Sequence, residues 1–202
     1  SGEAGRALEA DLIAASQASG VRVIGPNTSG LLNLHRGVNL VGARGVRSGG
    51  LALLVQSGNV ALSLMTEATE RSWDGVSLCL GVGNQIDLGF EEAISYLETH
   101  EETHAVIVHV EGLRDARAFL ASAARLARSK PIVVIKSGRT IEGAEAALSH
   151  TGSVAGPYDR FSAALAQAGI VEVARTDELL HIAETLGRQP PCPPGRGILI
   201  LS

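Results

Sequence analysis

The sequence predicts an α/β fold built around a parallel sheet. From Leu51 onward, short runs of apolar residues alternate with segments whose apolar residues recur at helical spacing. Apolar runs without polar alternation are typical of strands that are covered on both faces, and alternation of strands with helices is typical of parallel sheets. These two observations favour a sheet with helices packed on both faces.

Five strands, each followed by a helix or a loop, are predicted within residues 51–188. The strands are expected at 51–55, 76–80, 105–110, 131–136 and 170–173, and the helices at 60–70, 90–98, 114–128, 158–168 and 176–186. Thr176 is suited to cap the last helix, since its hydroxyl can accept a hydrogen bond from a free N–H group. Right-handed crossovers leave few topologies, and the flavodoxin-like order 2-1-3-4-5 is the simplest for five such units.

The segments on either side of this unit indicate remnants of neighbouring domains. Residues 1–27 contain a helical pattern over 5–19 and a short apolar run, 21–24, that predicts a strand. Residues 28–50 are interpreted as a linker without regular structure, because five glycines fall between 31 and 50. Residues 189–202 combine a proline-rich linker with an apolar run expected to be the first strand of a following domain. Both ends therefore predict a piece of a longer protein.

The composition excludes several classes of function. The chain has 202 residues, of which 45% are hydrophobic and 19% charged, and its formal net charge is −4. Because no basic block is present, we expect no nucleic-acid partner. No apolar run is long enough to span a bilayer, and neither a signal peptide, a disulfide framework nor a metal-binding pattern is visible. These features predict a cytoplasmic protein without a membrane or metal site.

The candidate reactive residue is His150, which lies among small and hydroxylated residues in the segment 147–156. Such a loop leaves an imidazole accessible, and a neutral imidazole can accept a phosphoryl group. Thr151 and Gly152 add a hydroxyl and N–H groups suited to an anion. The alternative is a turn histidine without a chemical role.

Two further groups are expected at the same edge of the sheet as His150. Ser57, Gly58 and Asn59 follow the first predicted strand and open a helix, where free N–H groups favour an anion. Glu111 follows the third strand, and it is suited to accept a hydrogen bond from the second ring nitrogen of His150. In the alternative interpretation, Ser57–Asn59 and Glu111 only cap helices. The remaining histidines and Cys79 are interpreted as structural: His35, His100, His104, His109 and His181 have no supporting cluster of functional residues.

Six short motifs occur in register along the chain: Gly25-Pro26-Asn27, Gln56-Ser57-Gly58, Val82-Gly83-Asn84 with Asp87, Glu111-Gly112, Lys136-Ser137-Gly138-Arg139 and Ser149-His150-Thr151-Gly152. With these motifs the chain resembles the NDP-forming acyl-CoA synthetases, and within them the acetyl-CoA synthetase branch more than the succinyl-CoA synthetase alpha subunits.

The resemblance implies a reaction and a set of partners. Acid, CoA and NTP would interconvert with acyl-CoA, NDP and phosphate through an acyl phosphate and a phosphohistidine at His150, with Glu111 beside it. Asn27, Gly83 and Asn84 would lie near the substrate or CoA. A CoA-binding domain would precede this one and an ATP-grasp domain would lie elsewhere in the chain or on a partner subunit. CoA, ATP and Mg²⁺ would serve the full enzyme, with no cofactor held tightly by this fragment, which we expect to be inactive alone.

The sequence departs from the resemblance at two places, which leaves the acyl group open. Thr28 and Ser29 stand where relatives commonly have Cys followed by Pro or Leu, and Gln85 stands where many have Lys. Two other functions remain open. One is a ligand-sensing, synthetase-like regulatory module of a protein acetyltransferase, against which the His150–Glu111 pair argues. The other is an FMN-binding flavodoxin, which the few aromatic residues disfavour.

Overall fold

The computed structural model describes residues 2–71, 74–140, 143 and 158–189. The strands in these residues are β1 (Leu31–Asn33), β2 (Val38–Asn39), β3 (Ser48–Val55), β4 (Val76–Gly81), β5 (Ala105–Val110), β6 (Ile132–Lys136) and β7 (Val171–Glu172). The α-helices are α1 (Glu3–Ser19), α2 (Gly58–Glu70), α3 (Phe90–Glu98), α4 (Ala116–Leu126), α5 (Tyr158–Gln167) and α6 (Thr176–Arg188).

The described strands form one sheet in the order β2-β1-β4-β3-β5-β6-β7. Strands β3 to β7 pair in parallel, and β1 pairs antiparallel with both β2 and β4. The predicted order 2-1-3-4-5 is confirmed, since it corresponds to β4-β3-β5-β6-β7. The predicted number of strands is wrong, because β1 and β2 extend the sheet from five strands to seven.

The two additional strands lie in residues 28–50, where no regular structure was expected. Leu32 is completely buried beside Cys79 of β4, so the short strand β1 covers an edge that would otherwise be open. The glycines of this region do not all mark turns. A Cβ atom on Gly49 would lie 2.0 Å from the backbone nitrogen of Gly75, so glycine here allows two chains to approach closely.

The strand predicted at 21–24 is also wrong, since these residues are not part of the sheet. The segment instead runs along the loop that precedes α3. Leu88 N donates to Val23 O over 3.3 Å, and Val23 N donates to a carboxylate oxygen of Asp87 over 2.7 Å. Arg22 reinforces this contact through ion pairs with Asp87 and Glu92, and it thereby lowers the pKa of both carboxyl groups. Ile24 packs against the core on the α3 face, whereas Val21 is exposed.

The helices cover both faces of the sheet, as predicted. Helices α3, α4 and α5 pack on one face through residues such as Phe90, Phe119 and Leu165. Helices α2 and α6 pack on the other face, where Met65 and Leu179 are buried. Alternate residues of each strand point to opposite faces, so every central strand supplies both clusters.

Cys79 lies inside the second cluster, and its side chain is completely buried. Burial raises the pKa of its thiol to about 12. The interpretation of Cys79 as a core residue is confirmed. Among the described residues, no helix combines the length and the apolar character needed to cross a bilayer.

Candidate functional site

The carboxyl ends of four parallel strands place the candidate site at one edge of the sheet. Gln56 follows β3, Val82 follows β4, Glu111 follows β5 and Ser137 follows β6. In parallel sheets, ligands bind beyond these ends where neighbouring strands lead to opposite faces. Because β3 stands between β4 and β5, that point coincides with the loop that opens α2.

The start of α2 has the geometry that the sequence predicted. Ser57 adopts an extended backbone as the N-cap, and its hydroxyl accepts a hydrogen bond from Val60 N over 3.4 Å. Gly58 and Asn59 form the exposed first turn, where the first N–H groups of a helix lack partners within the helix. The capping role of Ser57 is therefore present, and anion binding by Ser57–Asn59 stays a prediction.

Two buried or half-buried side chains brace the loops at this edge. Gln56 Oε1 accepts hydrogen bonds from the backbone N–H groups of Glu111 and Gly112, over 2.6 and 3.0 Å. Lys136 Nζ donates to Glu111 O and Ser137 O, over 3.1 and 2.9 Å. Burial lowers the pKa of the Lys136 ammonium, and the charge of Glu111 opposes this shift. The loop that carries Glu111 is thus held from both sides.

The sequence interpretation missed these two bracing roles, although both residues lie within motifs. The available signal was the position of a polar side chain at the end of an apolar strand. Gln56 directly follows β3, and Lys136 is the last residue of β6. A buried polar side chain needs hydrogen-bonding partners, so both positions indicated contacts with neighbouring backbone.

His109, which the sequence interpretation treated as structural, lies near this edge of the sheet as the penultimate residue of β5. Its side chain is buried, and Nε2 lies 3.0 Å from the Ser137 hydroxyl. Burial, followed by the positive charge of Lys136, lowers the pKa of His109 to about 4. The imidazole is therefore neutral at physiological pH.

The structure brings Asn27, Gly83 and Asn84 together in two contacting turns. Asn84 N donates to Pro26 O over 2.9 Å. Gly83 has a φ of 54°, and a Cβ atom there would lie 2.2 Å from Pro26 O, so the close contact of the two turns requires glycine. Asn27 and Asn84 are exposed. Their contact with substrate or CoA stays a prediction.

The residues that depart from the resemblance directly follow Asn27 and Asn84 in the two turns. The Thr28 hydroxyl donates to Gly81 O at the end of β4. A Cβ atom on Gly58 would lie 3.5 Å from Ser29 Cβ, so Ser29 borders the first turn of α2. Gln85 is buried and its side-chain amide donates to Gly112 O over 3.3 Å.

Three predicted site residues, His150, Thr151 and Gly152, lie outside the described residues. The approach of Glu111 to His150 is therefore also a prediction. In the parts of the chain that the structure describes, no cluster of three or more histidine, cysteine or acidic residues is arranged to hold a metal ion.

The fold and the arrangement of this edge define a flavodoxin-like α/β domain with a candidate ligand site at the carboxyl ends of its strands. A family model described as "Succinyl-CoA ligase like flavodoxin domain" matches residues 48–186. The chain belongs to this family.

Similar proteins include ADP-forming ligases. The chain is 32% identical over its whole length to the alpha subunit of acetate–CoA ligase [ADP-forming] II from Pyrococcus furiosus, of which it covers 43%. It is 36% identical, over 89% of its length, to acetate–CoA ligase [ADP-forming] I from Archaeoglobus fulgidus, of which it covers 26%.

A similar solved structure is the dinucleotide-forming acetyl-coenzyme A synthetase 1 of Ca. Korarchaeum cryptofilum in complex with phosphate and ADP. It superposes with a TM-score of 0.85 at 33% identity, over 91% of this chain and 40% of that one. The chain thus spans less than half the length of these relatives.

Proposed function

We propose that this chain forms part of an NDP-forming acyl-CoA synthetase, with His150 as the residue that carries the phosphoryl group. Acyl-CoA and phosphate exchange to give acyl phosphate and CoA. The phosphoryl group then passes from acyl phosphate to a ring nitrogen of His150, which releases the carboxylic acid, and from His150 to the NDP, which becomes NTP.

The observation that carries this proposal is the meeting of predicted site elements at one edge of the sheet. The first turn of α2 offers N–H groups, the loop after β5 offers Glu111, and the paired turns at Asn27 and Asn84 close the site on the β4 side. The two ADP-forming ligases described above, which match 100% and 89% of this chain, support the same chemistry.

Each described element has a role in this reaction. The α2 terminus and Ser57–Asn59 hold phosphate, because a helix N-terminus stabilises negative charge. Glu111 accepts a hydrogen bond from the imidazole of His150 and stabilises the charge that develops on the ring. Gln56 and Lys136 fix the backbone that carries Glu111. Asn27, Gly83 and Asn84 approach CoA or the acyl group.

The full enzyme would need further parts. We propose CoA-binding and ATP-grasp domains in the same chain or on a partner subunit, with CoA, ATP and Mg²⁺ as reactants or cofactors in the cytoplasm. The Korarchaeum relative, whose structure contains phosphate and ADP, supports the nucleotide and phosphate among these reactants.

Phosphorylation of the full-length protein tests the proposal. Incubation with γ-labelled ATP should give a label that is labile to acid and stable to base, and acetyl-CoA with phosphate and ADP should yield ATP. His150→Ala should abolish both, whereas His35→Ala, which changes an exposed histidine far along the chain, should retain them. Equal labelling of the His150→Ala protein would contradict the assignment. Binding of CoA and phosphate by the wild-type protein without any label would favour the ligand-sensing alternative.

A further inference from the structure

His109 is an unusual residue for its position in the sheet. It occupies β5 between Val55 of β3 and Ile135 of β6, in a strand whose other residues are Ala105, Val106, Ile107, Val108 and Val110. The side chain is 4% exposed. Aliphatic residues fill the equivalent places of the neighbouring strands, so packing alone gives no reason for an imidazole.

The two ring nitrogens of His109 differ in their surroundings. Nε2 lies 3.0 Å from Ser137 Oγ. Nδ1 is buried, and no group in the described part of the chain lies within hydrogen-bonding distance of it. Burying a polar atom without a partner costs free energy, so this arrangement needs an explanation.

The unpartnered nitrogen indicates which tautomer is present. Orphaned buried N–H groups are rarer than under-satisfied acceptors, so the proton is better placed on Nε2 than on Nδ1. Nε2–H then donates to Ser137 Oγ. A hydroxyl oxygen that accepts this bond still has its own proton to donate, and within the described residues His109 is the only partner of that hydroxyl.

The Ser137 hydroxyl lies on the same face of the sheet as the start of α2. Ala105 and Ile107 of β5 pack in the cluster beneath α2 and α6, so His109, two residues further on, points to that face. The contact with His109 brings Ser137 Oγ over β5, the strand adjacent to β3, from which α2 begins. Ser137 Oγ thus lies on the α2 side of the sheet, beside the strand that adjoins β3.

We propose that Ser137 donates its hydroxyl proton to an oxygen of the bound phosphate, and that His109 is a positioning residue that orients this hydroxyl. The inference rests on the proposed function only in its choice of phosphate as the ligand. Ser137 touches the anion, whereas His109 acts through Ser137. Since His109 is neutral and buried, it orients the Ser137 hydroxyl without adding a charge to the site.

Equilibrium binding of inorganic phosphate to the full-length protein, measured by calorimetry, tests this inference. Loss of a hydrogen bond to a charged ligand weakens binding about tenfold or more, so Ser137→Ala and His109→Phe should each raise the dissociation constant by about that factor. The double variant should bind no more weakly than the weaker single variant, because the two residues act as a unit. His109→Gln, whose amide can replace the Nε2–H donor, should retain most of the affinity.

The chain offers a matched control at the opposite end of the sheet. Ser77, Thr103 and His100 form a buried network in which Ser77 Oγ lies 2.7 Å and His100 Nδ1 lies 2.8 Å from Thr103 Oγ1. Ser77→Ala and His100→Phe make the same chemical changes far from the candidate site, so they should leave phosphate affinity unchanged.

The outcomes separate this inference from the proposed function. Unchanged phosphate affinity in Ser137→Ala, or additive losses in the double variant, would overturn the role of Ser137 or that of His109. If phosphate binding weakens in the variants as expected, the inference is supported even when the protein forms no acyl-CoA. The absence of acyl-CoA formation would contradict only the proposed function. A wild-type protein that binds no phosphate overturns the inference regardless of its activity.

Discussion

The buried imidazole of His109 predicts a specific loss of stability in acid. Its pKa in the folded protein is about 4, against an ordinary value of 6.5, because burial and then the charge of Lys136 disfavour the protonated ring. The unfolded chain therefore binds a proton at a higher pH than the folded protein does. The stabilisation that results is fully present above pH 6.5, and it is lost as the pH falls toward 4.

The magnitude follows from the two pKa values. Each tenfold difference in proton affinity between the folded and unfolded states corresponds to about 1.4 kcal/mol. The difference between 6.5 and about 4 then amounts to about 3 kcal/mol, which is a large part of the stability of a typical domain. Within this pH range the free energy of unfolding should fall by up to about 1.4 kcal/mol per pH unit on account of His109 alone.

Urea unfolding of wild type and of His109→Phe at pH 4 to 7 measures this contribution. Carboxyl groups that titrate in the same range are common to both proteins, so they cancel in the difference between the two stability curves. As the pH falls from 7 to 4, the free energy of unfolding of the wild type should fall relative to that of His109→Phe, and the NMR titration of His109 should have its midpoint near 4. Parallel curves, or a midpoint above about 6, would refute the burial argument.

Three further predictions concern the glycines of the site and the chain as a whole. Gly83→Ala should lower the free energy of unfolding, measured with urea, by about 2 kcal/mol, because the new Cβ atom would meet Pro26 O. Gly169 also has a positive φ but faces open space, so Gly169→Ala should lower the free energy of unfolding by less. Gly58→Val should reduce the phosphoryl label acquired from ATP, because the larger side chain crowds the anion. The variant should remain folded by circular dichroism, since a Cβ atom at this position makes only an ordinary contact. Undiminished labelling would count against the anion site. The 202-residue chain should form no acyl-CoA by itself in a coupled assay, because it spans less than half of its ligase relatives, and measurable turnover would contradict the proposed division of domains.

The core of the fold was predictable because each central strand is apolar on both faces. A run such as Leu51–Val55 has few alternatives to a buried parallel strand, and right-handed crossovers then leave few possible orders of its neighbours. The edge strands β1 and β2 were not predictable in this way. They contain three and two residues, so the pairing of β1 with β4, and of β2 with β1, depends on tertiary contacts rather than on a local pattern.

The position of the candidate site followed from the same reasoning, since the ends of β3 and β5 carry polar and glycine-rich turns. Local patterns were also sufficient for the helix cap at Ser57. The contact between Gly83 and Pro26 joins residues far apart in the chain, and only the motifs as a set indicated that the two turns belong together. The chemistry assigned to His150 continues to rest on its sequence environment and on the family.

The roles of Gln56, Lys136 and His109 depend on where neighbouring strands end relative to one another, which a sequence pattern does not specify. Gln56 reaches the loop after β5 only because β3 and β5 pair with Val55 opposite His109. The same register, continued to β6 through His109 and Ile135, places the imidazole beside Ser137. A shift of β5 by one residue against its neighbours would turn His109 to the other face of the sheet and separate it from α2. The register of these three parallel strands therefore places Gln56 and Lys136 against the loop that carries Glu111, and it places His109 beside Ser137.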